Sequence, residues 1–85
     1  NMRVLGTETA CGTSAGASSN FGEADDVRLV NSGSTNRLVS ITDSSGNVVA
    51  TFTLIAGEVS FVRKKREEKI FAANAEVLAV GIVTP

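Results

Sequence analysis

The sequence predicts a small all-β domain, an antiparallel β-sandwich or barrel-like fold with an extended N-terminal arm. Residues 37–65 alternate apolar and polar side chains in three runs, and tight-turn signals separate these runs. Strand-like sequence then continues almost to the end of the 85-residue chain. The first 24 residues are instead rich in small side chains. We therefore divide this domain-sized chain into an arm, residues 1–24, and an antiparallel β domain, residues 25–85.

The composition narrows the classes of function. The chain has no His, Trp or Tyr, and Cys11 is its one cysteine. A lone cysteine forms no disulfide within the chain, and without histidine no zinc site is plausible. A small domain without a disulfide or a structural metal needs another source of stability. We expect oligomerisation or docking on a larger body to supply it.

Charge and hydropathy argue against nucleic-acid and membrane partners. Eight Lys and Arg residues oppose nine Asp and Glu residues, which leaves a net charge of −1 and no electrostatic signature of nucleic-acid binding. No apolar run approaches the roughly 18 residues of a membrane-spanning helix, and the N-terminus lacks the apolar core of a signal peptide. We expect no nucleic-acid partner, no membrane, and synthesis in a cytoplasm.

The N-terminal arm has a composition that favours flexibility. Met2–Leu5 is a short apolar start that resembles an edge strand. Gly6–Ala24 is rich in Gly, Ser, Thr and Ala, with Phe21 as its one large apolar residue. Such a segment buries little and loses much conformational entropy when it is ordered. We expect it to be either disordered or ordered by a partner.

The first strand of the β domain is predicted at Val27–Asn31. Val27 and Leu29 fall on one face and Arg28 on the other, which is the pattern of a half-buried strand. Ser32–Asn36 is a cluster of turn-forming residues that ends this strand.

A turn at Asp43–Asn47 predicts the first hairpin. The aspartate can bond to the backbone that follows it, and a glycine in the turn supplies the left-handed residue. A loop with an even residue count pairs Val39 with Phe52 and Ile41 with Ala50. We prefer it to a three-residue bulged loop, which shifts the pairing by one residue.

A second hairpin is predicted at Ala56-Gly57, treated as a two-residue loop. Its register sets Phe52 opposite Phe61 as a stabilising aromatic pair, and a slip of one residue destroys this match because side chains alternate with period 2. Ala56 disfavours the positive φ of a type I′ turn, so a type II or bulged turn with a left-handed Gly57 is the alternative. The two hairpins together give one apolar face: Val39, Ile41, Ala50, Phe52, Leu54, Val59 and Phe61.

The remaining chain combines a charge run with two strand-like segments. Arg63–Lys69 is expected to be a solvated turn, with a salt-bridged contact to a protein partner as the alternative. Strands are expected at Ile70–Ala73 and Glu76–Thr84, with a turn at Asn74. Val77–Val83 is apolar on both faces, so it is either buried on both sides or buried on one and in contact with a partner on the other.

No residue pattern indicates catalysis, a cofactor or a metal. Asp25 and Asp26 are adjacent and point to opposite faces of a strand, which makes them a poor acid–base dyad. Together with Asp43 they lack the spacing of a calcium loop. Cys11 has no basic neighbour that would lower its pKa, and the glycines of the arm form no phosphate-binding motif. The sequence predicts a non-enzymatic protein with no catalytic, cofactor-binding or metal-binding residues.

The order of motifs along the chain resembles one family of proteins. The segments that carry this resemblance are, in order, Met2–Thr9, Val27–Asn31, Thr42-Asp43 with the Gly46 turn, Gly57–Val59 leading to Phe61–Lys64, Lys69–Ala73 and Glu76–Val80. This order is similar to that of small virion-associated proteins of marine tailed bacteriophages, including those of cyanobacteria. The resemblance extends over nearly the whole chain, and its motifs are structural rather than chemical.

The resemblance implies a capsid decoration or cement protein. Such proteins sit at junctions between capsomers and reinforce the shell against internal DNA pressure; many are trimers, and several have an N-terminal arm that orders on the capsid. We therefore expect a virion protein of the capsid surface, made in the host cytoplasm. Its partners would be the major capsid protein or other virion proteins, and further copies of itself in a homo-oligomer, with a trimer favoured. The alternative is a tail, neck or fibre-base component, or a host-surface binding module of the virion.

Overall fold

A computed structural model describes residues 3–83. They form eight β-strands and one short 3₁₀ turn, Ala15–Ala17, and they include no helix long and apolar enough to cross a membrane. The strands are β1 (Arg3–Val4), β2 (Thr9–Ala10), β3 (Asp26–Asn31), β4 (Arg37–Thr42), β5 (Val48–Leu54), β6 (Val59–Arg63), β7 (Lys69–Ala72) and β8 (Val77–Val83). The expected strand ends at Met2 and Thr84 lie outside the described residues.

The strands form two antiparallel sheets that pack together as a sandwich. Sheet A has the order β1-β8-β3-β6, with β2 also paired along β8. Sheet B has the order β5-β4-β7. The buried apolar residues form one core: Cys11, Ala24, Val27, Leu29, Val39, Ile41, Leu54, Ile70, Ala72, Val77 and Ala79. The all-β sandwich expected from the sequence is confirmed.

β4 and β5 form the first hairpin in the register that the sequence predicts. Val39 lies opposite Phe52, and Ile41 lies opposite Ala50. The register then shifts immediately after Ile41, next to the turn. This irregularity is a β-bulge, which places one extra residue on β5 and increases the local twist. The preferred pairing is confirmed, but the expected even loop is wrong. Thr42 lies opposite Val48 across five residues, an odd count, and the bulge restores the predicted pairing beyond it.

Asp43 holds the turn of this hairpin. Its Oδ1 accepts hydrogen bonds from the backbone N–H groups of Ser45 and Asn47, each 2.9 Å long. These bonds, that from the Asn47 backbone above all, lower the pKa of the Asp43 carboxyl group. Gly46 has a φ of 92° and is the left-handed residue that the turn requires.

The second hairpin prediction is wrong, because the chain crosses between the sheets at this turn. A tight turn does form, and Gly57 has a φ of 78°, so the left-handed glycine is confirmed. Beyond the turn, β6 leaves β5 and pairs with β3 in sheet A. Phe61 consequently lies opposite Arg28 and not opposite Phe52.

Asn31 gives the physical reason for this crossing. Its backbone N–H donates to the carbonyl of Glu58 at 3.0 Å, and its carbonyl accepts from the N–H of Gly57 at 2.9 Å. These bonds attach the new strand to β3. The buried side-chain amide of Asn31 also donates to the carbonyls of Leu54 and Thr35, at 2.9 and 2.8 Å. Asn31 therefore satisfies backbone groups of both sheets at the point where the chain passes between them.

The crossing also exchanges the two faces of β6, so that the side chains expected in the core point outward. Val59 and Phe61, expected in the core, are 43% and 59% exposed. Val62 packs instead against the core. The single apolar face expected from the sequence is thus divided between two sheets, because its β6 residues point away from the interior.

Residues 3–24 pack against both sheets of the same chain. On sheet A, β1 and β2 pair with β8. On sheet B, Ser19 exchanges two backbone hydrogen bonds with Ile70, at 2.8 and 3.2 Å. Cys11 and Ala24 belong to the core. This segment is therefore ordered by the chain itself.

Small side chains let this segment approach its neighbours closely. A Cβ atom on Gly12 would lie 2.1 Å from the carbonyl oxygen of Ala17. A Cβ atom on Gly81 of β8 would lie 2.9 Å from the Cβ of Ala24. Composition alone presents these residues as flexible, whereas in the fold they allow tight contact between backbones.

β8 is an inner strand of sheet A and is largely buried on both faces. Val77 and Ala79 face the core and are fully buried, while Val80 and Ile82, on the opposite face, are only 5% and 2% exposed. The chain itself thus covers both faces of most of this strand, which is the first of the two alternatives for Val77–Val83.

Candidate functional site

Two sheet edges remain open on the side of the sandwich where Gly57 joins β5 to β6. In sheet B, backbone hydrogen bonds with Ser19 and Gly12 cover the outer edge of β7. In sheet A, β1 and β2 cover the outer edge of β8. On this side β5 ends sheet B and β6 ends sheet A, with no further strand beside them within residues 3–83. At its other end, sheet A terminates in β1 and β2, which have two residues each. An open edge presents unpaired N–H and C=O groups to which another strand can bind.

The edge of β5 is long and uncharged. Its seven residues, VVATFTL, include no charged residue, no proline and no glycine. Ala50 is exposed and Phe52 is half-buried, although the register places both side chains on the same face as the buried Val39 and Ile41. The inner apolar layer of the sandwich is therefore incompletely covered along this edge.

Backbone hydrogen bonds show which groups of β5 point outward. Leu38 accepts a bond of 2.9 Å from the N–H of the residue that follows β7, so its backbone groups point toward β7. The direction of the backbone N–H and C=O groups alternates from residue to residue along an antiparallel strand. The N–H and C=O groups of Val39 therefore point toward β5, where they bond to Phe52, the residue directly opposite. Thr51 and Thr53 consequently direct their N–H and C=O groups away from β4.

A second candidate is the outer face of sheet A, which points away from sheet B. The register aligns one side chain from each of four strands in a row that is apolar throughout: Val59, Val30, Leu78 and Ala10. We call these four residues the apolar row. Phe61, next to the row on β6, is 59% exposed, the largest value among the large apolar side chains of the described residues.

Ion pairs border the apolar row. Arg28 lies opposite Phe61 on β3, and its Nη1 is 2.8 Å from the Oε2 of Glu8 on the far side of β8. Arg63, at the end of β6, pairs with Asp26 directly opposite, with 3.1 Å between Nε and Oδ1. An apolar centre with a polar margin is typical of a surface that binds another protein.

A buried lysine organises the charge run. The Nζ of Lys64 donates to the carbonyls of Ala24 at 2.6 Å and of Lys65 and Arg66 at 3.2 Å each. Burial lowers the pKa of this amine. Since its three protons are all committed to carbonyls, Lys64 fastens the loop between β6 and β7. The expected solvated turn is therefore correct for the exposed Lys65 and Arg66 and wrong for Lys64.

Asp25, Asp26 and Cys11, the reactive groups considered from the sequence, lie in three different environments. Asp26 pairs with Arg63, whereas the neighbouring Asp25 is exposed outside the strand. Within residues 3–83, no group of three or more His, Cys, Asp and Glu residues is placed to hold a metal ion. Cys11 is buried, and burial raises the pKa of its thiol to about 11. The thiol is thus protonated and enclosed near neutral pH.

An open cleft lies between the N-terminal segment and the end of β6. Its volume is about 510 Å³, and its lining mixes acidic residues such as Asp25 with basic ones such as Arg66. Lys64, which also lines it, already bonds to three carbonyls. The cleft therefore offers mixed and partly neutralised charge.

Sequence reasoning missed both surfaces. It placed Val59 and Phe61 in the core, and it paired β5 on both sides. One signal was available, because residues 48–57 contain no charged side chain. Edge strands that stay unpaired usually carry charges that prevent pairing, so an uncharged edge strand indicates a place where another strand can bind.

Comparison of the chain with protein-family models, with curated proteins and with solved structures finds no match.

Proposed function

We propose that this chain is a non-enzymatic structural protein of a virion that binds the outer surface of the head and stabilises the shell. Its partner would be the major capsid protein, or another virion protein at the same surface, and it would reach the capsid after synthesis in the host cytoplasm. The observation that carries the proposal is the apolar row with the exposed Phe61 beside it.

The shape and chemistry of this surface favour a protein partner. The row runs across four strands of an open sheet face, so it offers a broad apolar surface where a small ligand would need a concave pocket. Exposed contiguous apolar surface with a polar margin marks protein interaction sites. The pairs Arg28–Glu8 and Arg63–Asp26 supply that margin.

The resemblance to small virion-associated phage proteins supports the same conclusion from the sequence. It implies a decoration or cement protein and, with it, a homo-oligomer for which a trimer is favoured. The N-terminal segment enters this proposal differently from the sequence-based expectation. Because residues 3–24 already pack on the sheets of their own chain, we assign docking to the face of sheet A.

A pair of matched variants tests the docking surface. Phe61 is 59% exposed on the outer face of sheet A, and Leu38 is 48% exposed on the outer face of sheet B. We expect Phe61→Ser to fold normally and to lose at least tenfold in affinity for heads purified from a phage mutant that lacks this chain. Leu38→Ser should bind these heads as the unmodified protein does. Cosedimentation with the heads measures both, and equal binding by the two variants would contradict the proposed surface.

The location of the chain on the particle tests the proposed function itself. Gold-labelled antibody against the chain should mark the heads of intact virions. Label confined to the tail, neck or fibre base would overturn the head-binding proposal and favour the alternative expected from the sequence. Addition of the protein to undecorated heads should also raise the temperature at which they release DNA.

A further inference from the structure

We propose that the free edge of β5 binds a second copy of this chain, strand to strand and antiparallel, about a two-fold axis that passes between the two copies of Phe52. The inference concerns self-association and does not depend on the head-binding function. It assigns a partner to β5, the long and uncharged edge that the fold leaves open among residues 3–83.

The outward backbone groups of β5 limit the registers that are possible. Thr51 and Thr53 direct their N–H and C=O groups toward the free edge, so an incoming antiparallel strand must bond to these two residues. With the axis at Phe52, Thr51 of one copy faces Thr53 of the second copy, and Thr53 of the first copy faces Thr51 of the second. Each such pair exchanges two bonds, which gives about four backbone hydrogen bonds across the interface.

The same register matches side chains by chemistry. Phe52 faces its own copy at a non-hydrogen-bonded position, where side chains approach most closely and aromatic pairs stabilise a sheet. Ala50 faces Leu54 of the second copy. On the other face of the sheet, threonine meets threonine. Every contact is thus apolar with apolar or hydroxyl with hydroxyl.

The interior of the sandwich gives a second and independent reason. Phe52 is half-buried and Ala50 is exposed, although both side chains point to the inner face with Val39. The core layer is therefore open along β5. A second copy in this register covers the exposed parts of Ala50 and Phe52 and so removes that apolar area from water.

Charge favours a second copy on β5 over one on β6. Between Val48 and Leu54 there is no charged side chain, so no register of self-pairing opposes like charges. β6 is shorter, ends in Arg63 and follows Glu58, and edge charges of this kind hinder pairing. A two-fold contact through one patch closes on itself. The contact therefore produces a dimer. This differs from the trimer that the resemblance to virion proteins implies.

Disulfide trapping tests the axis directly. Cysteines at a hydrogen-bonded antiparallel pair have Cα atoms about 5.5 Å apart, which is within the range of a disulfide. We expect a mixture of Thr51→Cys and Thr53→Cys proteins to form a crosslinked dimer under mild oxidation. Thr51→Cys alone should not crosslink, because two copies of residue 51 are not opposite each other. The native Cys11 is buried and does not interfere.

Two results of this trapping experiment would overturn the proposal. Efficient crosslinking of Thr51→Cys alone would place the axis at Thr51. Crosslinking of an exposed control, Thr13→Cys, at the same rate as the mixture would show that random collision explains the product. Thr13 lies in the N-terminal segment, which pairs with β7 and β8 and not with β5.

Analytical ultracentrifugation supplies the equilibrium test. The unmodified protein should sediment as a dimer at tens of micromolar. The double variant Thr51→Lys/Thr53→Lys brings lysines opposite lysines and should sediment as a monomer with an unchanged circular dichroism spectrum. The matched control Thr7→Lys/Thr13→Lys should stay dimeric. A monomeric or trimeric unmodified protein, or a double β5 variant that remains a dimer, would overturn the proposal.

Discussion

Two buried polar side chains, Asn31 and Lys64, organise the loops of this sandwich. The amide of Asn31 donates to the carbonyls of Thr35 and Leu54. The amine of Lys64 donates to the carbonyl of Ala24, before β3, and to those of Lys65 and Arg66 in the loop that follows β6. Buried carbonyls without a donor are costly, so each side chain fixes the loop to which it donates. Neither role is visible in the sequence, since Asn31 ends a strand and Lys64 lies inside a charge run.

At this residue scale, Lys64→Met tests whether the buried amine is structural. Methionine keeps a similar length and apolar stem but leaves the carbonyls of Ala24, Lys65 and Arg66 without their donor. We expect the free energy of unfolding to fall by about 1–3 kcal/mol. Urea denaturation measures the change. The control is Lys65→Met at the exposed neighbouring position, which should alter the free energy of unfolding by less than about 0.5 kcal/mol. Equal stability of the two variants would show that the Lys64 bonds contribute nothing net.

The element scale shows where local patterns decide the structure and where they do not. The β4–β5 hairpin has the register predicted from the sequence, because its apolar alternation sets the pairing and a β-bulge next to the turn accommodates the odd-numbered loop. β6 carries an equally good match to β5, yet it pairs with β3. Both pairings satisfy the same local signals, so the choice falls to distant groups, above all the backbone and amide of Asn31.

A pair of truncations at the element scale distinguishes the sandwich from a flat three-stranded meander. Leu54 is fully buried on β5, and Leu54→Ala should lower the free energy of unfolding by about 2–5 kcal/mol. Phe61 is exposed on β6, so Phe61→Thr, which keeps a strand-forming residue, should change it by less than about 0.5 kcal/mol. Thermal or urea unfolding measures both. A large loss for Phe61→Thr would mean that Phe61 pairs with Phe52 in a shared core.

At the scale of the whole molecule, the N-terminal segment closes one side of the sandwich and leaves the other side open. Residues 3–24 cover the outer edges of β7 and β8 and contribute Cys11 and Ala24 to the core. The opposite side retains the open edges of β5 and β6. This asymmetry leaves β5 as the long open edge of residues 3–83, because the chain covers the outer edge of β7 and the edge strands β1 and β2 have only two residues each.

Removal of the N-terminal segment tests this organisation. We expect a chain that begins at Asp25 to lose cooperative unfolding or most of its stability, because β8 loses its β1 and β2 neighbours and the core loses two residues. Circular dichroism during heating, together with the dispersion of amide resonances, measures this. A truncated chain that unfolds as cooperatively as the full one would show that residues 1–24 are a separable arm.

Local sequence was enough to predict the positions of β3 to β8, the left-handed glycines Gly46 and Gly57, and the β4–β5 register. These features depend on local backbone preferences and on period-2 alternation, whereas β2, inside the small-residue segment, was not predicted. Tertiary structure decided which sheet β6 joins, and hence that Phe61 faces solvent. It also decided that the small-residue segment packs within the chain, since close backbone approach at Gly12 leaves no local signal. Both candidate surfaces follow from these non-local choices, which is why sequence patterns alone did not reveal them.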